Sequence, residues 1–366
     1  MRLEYGDYSL ELITIEEARK HVANGLVCYD FTKLTAINTC PTFGVLRYAL
    51  HRTESSSTRS MAIDAGKACH DYFAALRVWS LRNQHKDSPK QITKIGLHAT
   101  KLFGSVRFAE MLSAPQDATD EFSNAINFCL PALHTSGFYD NPSDRRRTMA
   151  NLEQSCLSYT SRYLMSEMPV VLEGELVGVE LPFCILFRKR SASDTPVYIY
   201  TGRIDGLHNY NSAPHIAENK TAFRLDDVWR MMFHTSNQVT GYMVAATLLL
   251  GREVLNGFVM GTQIPQPKSM TDGVAFEQVS RNDSDFTRWT EWIEHSVNVY
   301  QEFVHRPTAA PRYTHSCNRY FHPCQFIPYC TMQREEQTDM IEQMSVEEWS
   351  PLDHVGEVAD NSTGEV

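Results

Sequence analysis

The stretch TGRIDGLHNYNSAPHIAENKTA, Thr201 to Ala222, carries Asp205 after a Gly-Arg-Ile and, thirteen residues on, Glu218 and Lys220 separated by one residue. Side chains alternate along a strand with period two, so Glu218 and Lys220 fall on one face, and Asp205 stands near the end of the strand before. The pattern predicts two carboxylates and an ammonium at one sheet edge. Oxygen donors of this kind suit Mg2+ or Mn2+, which can bind a phosphate oxygen, activate a water and neutralise a leaving alkoxide. Lys220 would orient or deprotonate that water and offset charge as it develops. An exposed ion pair on a solvated strand face accounts for the same spacing.

Working outward, β-branched and aromatic runs with turn signals between them occupy the chain after Met168: PVVLEGELVGVELPFCILF, PVYIYTGRIDGL and APHIAENKTAF. These predict three consecutive strands in meander order. LDDVWRMMFHTSNQVTGYMVAATLLLG then reads as a long helix closed by Gly251, and EVLNGFVMGTQI as one more strand. The core is β-β-β-α-β. The first 170 residues read as mainly helical, with apolar stripes of period 3.6 in FTKLTAINTCPTFGVLRYALHR, SMAIDAGKACHDYFAALRVWSL and DRRRTMANLEQSCLSYTSRYLMSEM. FTRWTEWIEHSVNVYQEFVH predicts a last helix. The expected organisation is a helical region over 1–168, a core over 169–265, a helix and cysteine cluster over 266–334 that packs back on the N-terminal region, and an acidic tail over 335–366.

The composition is that of a globular chain: 366 residues, 42% hydrophobic and 21% charged. No run is long and apolar enough for a membrane span, and the acidic N-terminus does not resemble a signal or transit peptide, so a soluble cytoplasmic protein is expected. The net charge of -10 argues against a polyanionic partner, but its distribution removes the objection. Residues 335–366 hold ten acids and no Lys or Arg; the other 34 acids balance the 34 basic residues. The tail is expected to be a solvated, flexible end, with docking of a protein partner as the other reading.

Nine cysteines without an export signal argue against a disulfide framework and for thiols, some of them metal ligands. Cys28, Cys69, Cys129, Cys156 and Cys184 stand singly among apolar residues and read as small buried hydrophobes. Cys317, Cys324 and Cys330 form a cluster. Gln238 and Tyr242 lie four apart on one face of an otherwise apolar helix and need polar partners, of which a nucleic-acid backbone is one. His70, one turn after Gly66, is a further candidate ligand that would favour Mn2+.

In their order, Cys40-Pro41, Gly66 with His70, Asp205, Glu218-Asn219-Lys220, Gln238 with Tyr242, and the terminal cysteines resemble the PD-(D/E)XK nucleases. The look is that of the RecB-like branch with an iron-sulphur cluster, as in AddB-type domains and the CRISPR-associated and phage exonucleases. The resemblance spans Thr32 to Cys330. It implies a restriction-endonuclease-like α/β fold with a mixed central sheet, and a metal shell of His70, Asp205, Glu218 and the Asn219 backbone carbonyl, joined in some relatives by a carboxylate at the place of Glu180. It makes Lys220 the catalytic lysine and gives Gln238 and Tyr242 the positioning of the substrate strand. Cys40, Cys317, Cys324 and Cys330 would be four thiolate ligands of a structural [4Fe-4S] cluster, which ties the N-terminal helices to the far end of the chain. Four thiolates also satisfy zinc, although a ligand nearly 280 residues upstream of the others argues against a zinc knuckle. Six residues separate Cys317 from Cys324, where many relatives have two, which leaves His322 as a conceivable substitute.

The implied activity is a metal-dependent deoxyribonuclease, an exonuclease on single-stranded DNA or DNA ends in recombination, repair or phage replication. No nucleotide-binding loop of the G-x-x-x-x-G-K-[ST] kind occurs, so no motor is expected within the chain. A catalytically silent DNA-binding scaffold of the same fold and a CRISPR spacer-processing nuclease are the alternative readings. Arg47, Arg145 to Arg147 and Arg224 are candidates for phosphate contacts. Oligomeric state and cleavage polarity are not readable from the chain.

Overall fold

Thr195–Tyr210 and Ala213–Ala222 form the hairpin that the key stretch predicts, with Tyr210 opposite Ala213. Asn211 and Ser212 turn the chain at φ 49° and 64°, the left-handed conformation that a two-residue turn between twisted strands requires. The computed structural model describes residues 2–53, 61–117, 119–164, 172–173, 176–192, 194–265, 273–319 and 322–356. Its chain divides into two compact units. One comprises Met1–Thr58, Cys184–Gly202 and Asp283–Val355; the other comprises Arg59–Phe183, Arg203–Asn282 and Gly356–Val366. The four consecutive segments read from the sequence are therefore interleaved.

The second unit holds the β-α-β part of the expected core, while Cys184–Gly202 belongs to the first unit. Ala213–Ala222 is antiparallel to the preceding strand and parallel to Asn256–Gln263, so the sheet is mixed and the fold is α/β. Between these parallel strands the single long helix expected from the sequence is two, the short Asp227–Met231 and then the helix Asn237–Leu250. Ser236 caps its start by accepting from the Val239 N–H, and Gly251 ends it in the left-handed conformation at φ 66°. Val274–Ser280 adds an outer antiparallel strand that the sequence pattern did not reveal. Five helices cover this unit: Met61–Gln84, Pro89–Phe103, Ser105–Ser113, Glu121–His134 and Met149–Tyr163. Their buried faces, including Phe73, Ile95, Phe128 and Leu152, share one apolar core with Ala217 and Met260 of the sheet.

The first unit departs from the helical expectation. Arg2–Tyr5 and Tyr8–Ile13 form a hairpin, and the latter pairs antiparallel with Cys184–Lys189. Alternation over only four to six residues was too short to distinguish from loop. The helix expected across FTKLTAINTCPTFGVLRYALHR is two, Phe31–Thr39 and Pro41–Tyr48. Proline disfavours helical geometry in the residue before it, and Cys40 is extended at φ -162°, ψ 109°. In the acidic segment Arg334–Gln343 is a helix, Ser345 pairs with Thr53, and Ile341, Leu352 and Val355 are buried, against the expected flexible end; residues 357–366 lie outside the described residues. Glu347 ion-pairs with Arg47 at 3.0 Å, which occupies one of the arginines considered for phosphate contact. Among the described residues no helix is long and apolar enough to cross a membrane.

Candidate active site

Asp205 lies in the strand before the hairpin turn, and Glu218, Asn219 and Lys220 in the strand after it, all within the second unit. Pairing fixes their placement: an Asp205 Oδ2 accepts from the Asn219 N–H at 2.8 Å, tying the two strands at the site. His70 arrives from the Met61–Gln84 helix, its Nδ1 3.5 Å from Asp205 Oδ2. Glu180 arrives near the start of the strand Val179–Lys189 with φ 47°, a conformation costly for a residue with a side chain and held only where surroundings dictate it. Ligand atoms of His70, Glu180 and Asp205 lie within 4.8 Å of one another.

Glu218 faces Lys220 and is almost fully buried, at 1% exposure. The Lys220 ammonium donates to Glu218 Oε1 and, at 3.0 Å, to Gln238 Oε1; Gln238 Nε2 in turn donates to the Tyr242 hydroxyl at 2.9 Å. Gln238 and Tyr242, four apart on their helix, thus complete a chain that begins at the carboxylate. Its link to Lys220 is direct.

Electrostatics follow from burial. Desolvation and then the charge of Asp205 push both Glu180 and Glu218 up to about 8, against Arg203 and Arg77 at Glu180 and against Lys220 at Glu218. At Lys220 burial disfavours the charge, but Glu218 and Asp205 outweigh it and the pKa is raised, so the side chain is an ammonium at neutral pH. Burial lowers His70, opposed by Asp205 and by a hydrogen bond with the Asn219 backbone, and leaves a neutral imidazole suited to a metal. Crowded carboxylates that resist ionisation, together with buried acceptors Glu180 Oε1 and Glu218 Oε2 that no hydrogen bond satisfies, are the donor set that a hard divalent cation fits.

The family model of the PD-(D/E)XK nuclease superfamily matches residues 31–331. The chain belongs to the PD-(D/E)XK nuclease superfamily. Members are nucleases that use divalent Mg2+ or Mn2+, and a metal-dependent nuclease is what this membership implies. A comparison with curated proteins finds no match.

The sequence pattern missed two residues that the structure places at the candidate site. Arg77, two turns after His70, is 1% exposed and donates to the Asp205 carbonyl at 3.2 Å. A Cβ on Gly206 would stand 2.6 Å from Arg77 Nε, so the glycine after Asp205 makes room for the guanidinium. An arginine seven residues from His70 inside the apolar run AALRVWSL was the available signal. Tyr159 is the second: its hydroxyl donates to Asn219 Oδ1 at 3.0 Å, and no pattern in its own helix points to the site.

The cysteines Cys40, Cys317, Cys324 and Cys330 gather in the first unit. The Cys324 N–H donates to the Cys317 carbonyl at 2.7 Å across a short turn. Burial, followed by the neighbouring thiols Cys40, Cys324 and Cys317, pushes the Cys330 thiol up to about 11. Among the described residues, no three of these sulphurs meet the 4.8 Å separation that the His70 cluster meets.

Proposed function

We propose that this nuclease hydrolyses DNA phosphodiesters from single strands or ends, as an exonuclease of recombination, repair or phage replication. The observation that carries hydrolysis is the Glu218–Lys220–Gln238–Tyr242 chain beside the His70–Glu180–Asp205 cluster. His70, Glu180, Asp205, Glu218 and the Asn219 carbonyl would hold Mg2+ or Mn2+. A divalent ion there supplies Lewis acidity toward a phosphate oxygen and lowers the pKa of a water. Lys220, an ammonium fixed by two acceptors, positions the attacking water and stabilises charge growing on the phosphate without having to reorganise. Gln238 and Tyr242 hold that ammonium in place. Preference for ends rests on the resemblance to AddB-type and phage exonucleases.

A [4Fe-4S] cluster on Cys40, Cys317, Cys324 and Cys330 is part of this reading. Four thiolates also satisfy tetrahedral zinc, but a ligand nearly 280 residues upstream of the other three is unlike a zinc knuckle, whose ligands come as two close pairs. The cluster's role would be structural, binding the Pro41–Tyr48 helix to the C-terminal segment.

The deciding experiment is cleavage of end-labelled single- and double-stranded DNA by anaerobically purified protein in Mn2+, Mg2+ or EDTA, with Lys220→Ala alongside. Metal-dependent shortening from the ends that Lys220→Ala abolishes is expected. A protein that binds DNA but stays inert in every metal is a scaffold, and the catalytic reading fails.

A further inference from the structure

Phe223 directly follows the strand that carries Glu218 and Lys220, yet it is 48% exposed. It stands three positions after the lysine, about 10 Å of extended chain. Two guanidinium groups lie close to the ring, Arg224 at 5.8 Å from its centroid and Arg146 at 5.4 Å. Arg146 comes from the basic run before the Met149–Tyr163 helix, so two basic features far apart in sequence meet on one aromatic. Arg146 Nε also lies 3.8 Å from Asp144 Oδ1, but its side chain is 59% exposed, and Arg147 holds the same carboxylate at 2.7 Å. Among the described residues no carboxylate pairs with Arg224.

An exposed flat ring with two cations close by suits a ligand with both a π face and negative charge. We propose that Phe223, with Arg146 and Arg224, is a stacking step for single-stranded DNA: an unpaired base near the scissile phosphate lies on the ring, and the guanidinium groups take flanking phosphates. Bases inside a duplex are already stacked on each other, so the step selects unpaired or frayed strands. The inference rests on the nuclease reading and adds to it the contact that would select unpaired strands.

The test compares full-length wild type, Phe223→Ala and Phe223→Trp. Cleavage of an end-labelled single strand is measured in Mn2+, and binding of a labelled oligonucleotide by fluorescence anisotropy in EDTA. Phe223→Ala is expected to raise KM and the anisotropy Kd about tenfold, with kcat within about twofold, and Phe223→Trp to restore both. An abasic nucleotide beside the scissile bond should weaken wild type and leave Phe223→Ala unchanged. Arg224→Ala should reduce the slope of log affinity against log salt by about 0.7. Unchanged Kd in Phe223→Ala, or an equal abasic penalty in both proteins, overturns the proposal. If wild type cuts nothing, the nuclease reading fails, and the anisotropy comparison still decides the stacking step.

Discussion

Lys220 is hydrogen-bonded to Gln238 at 3.0 Å, an amide from the crossover helix gripping the ammonium of the strand. This contact sets the direction of the lysine independently of Glu218. Gln238→Ala should lower kcat about tenfold, the equivalent of one hydrogen bond to a charged group at ~1.5 kcal/mol. Lys220→Ala should lower it about 10²- to 10³-fold. Steady-state cleavage of both variants checks the ranking, and a Gln238→Ala enzyme with unchanged kcat would show that Glu218 alone positions the lysine.

Burial holds protons on Glu180 and Glu218 up to about 8, against an ordinary glutamate value of 4.5. The folded, metal-free protein therefore binds more protons than the unfolded chain between those values. Stability from this pair is present below about 4.5 and lost as pH rises through about 8. A divalent cation needs both groups ionised, so the rise in Tm on adding Mn2+ should grow from near zero at about pH 5 to on the order of 5 °C at about pH 8. Asp30 and Asp71, which burial pushes up to about 6, act with or without metal, so the metal increment leaves them out; His70, which burial lowers, loses its proton early in the rise, and the glutamates account for the part that continues toward pH 8. A pH-independent increment would contradict this account.

Gly206 accommodates Arg77, whose Nε and Cζ would lie 2.6 and 2.9 Å from an added methyl group. Gly206→Ala should destabilise the fold by ~1–3 kcal/mol, measured by denaturant unfolding. In an Arg77→Met background the guanidinium is gone, and the same substitution should cost clearly less. Additive effects of the two changes would show that strain elsewhere causes the loss.

Anaerobically purified protein should contain about four iron and four sulphide per chain on the cubane reading. Cys40→Ser should lose most of both and lower Tm, because the ligand lies far from the other three in sequence. About one zinc per chain, with no iron, would replace the cluster by a tetrahedral site.

The sequence by itself determined the hairpin, the crossover helix and the strand after it, because long alternating or helical periodicity and the Gly251 cap are local signals. It also predicted Asp205, Glu218 and Lys220 at one sheet edge, since period-two alternation and meander order leave little freedom, while the two-residue turn at Asn211 and Ser212 was seen only in the structure. The N-terminal hairpin was hidden because four- and six-residue strands carry too little pattern, and the break at Cys40 because an apolar stripe continues through Pro41. Only the tertiary structure could bring Arg77 beneath Asp205, Tyr159 to Asn219, and Arg146 to Phe223. Each of these depends on which helix packs against which strand, and the physics of that choice is the fit of whole faces rather than the spacing of residues along the chain.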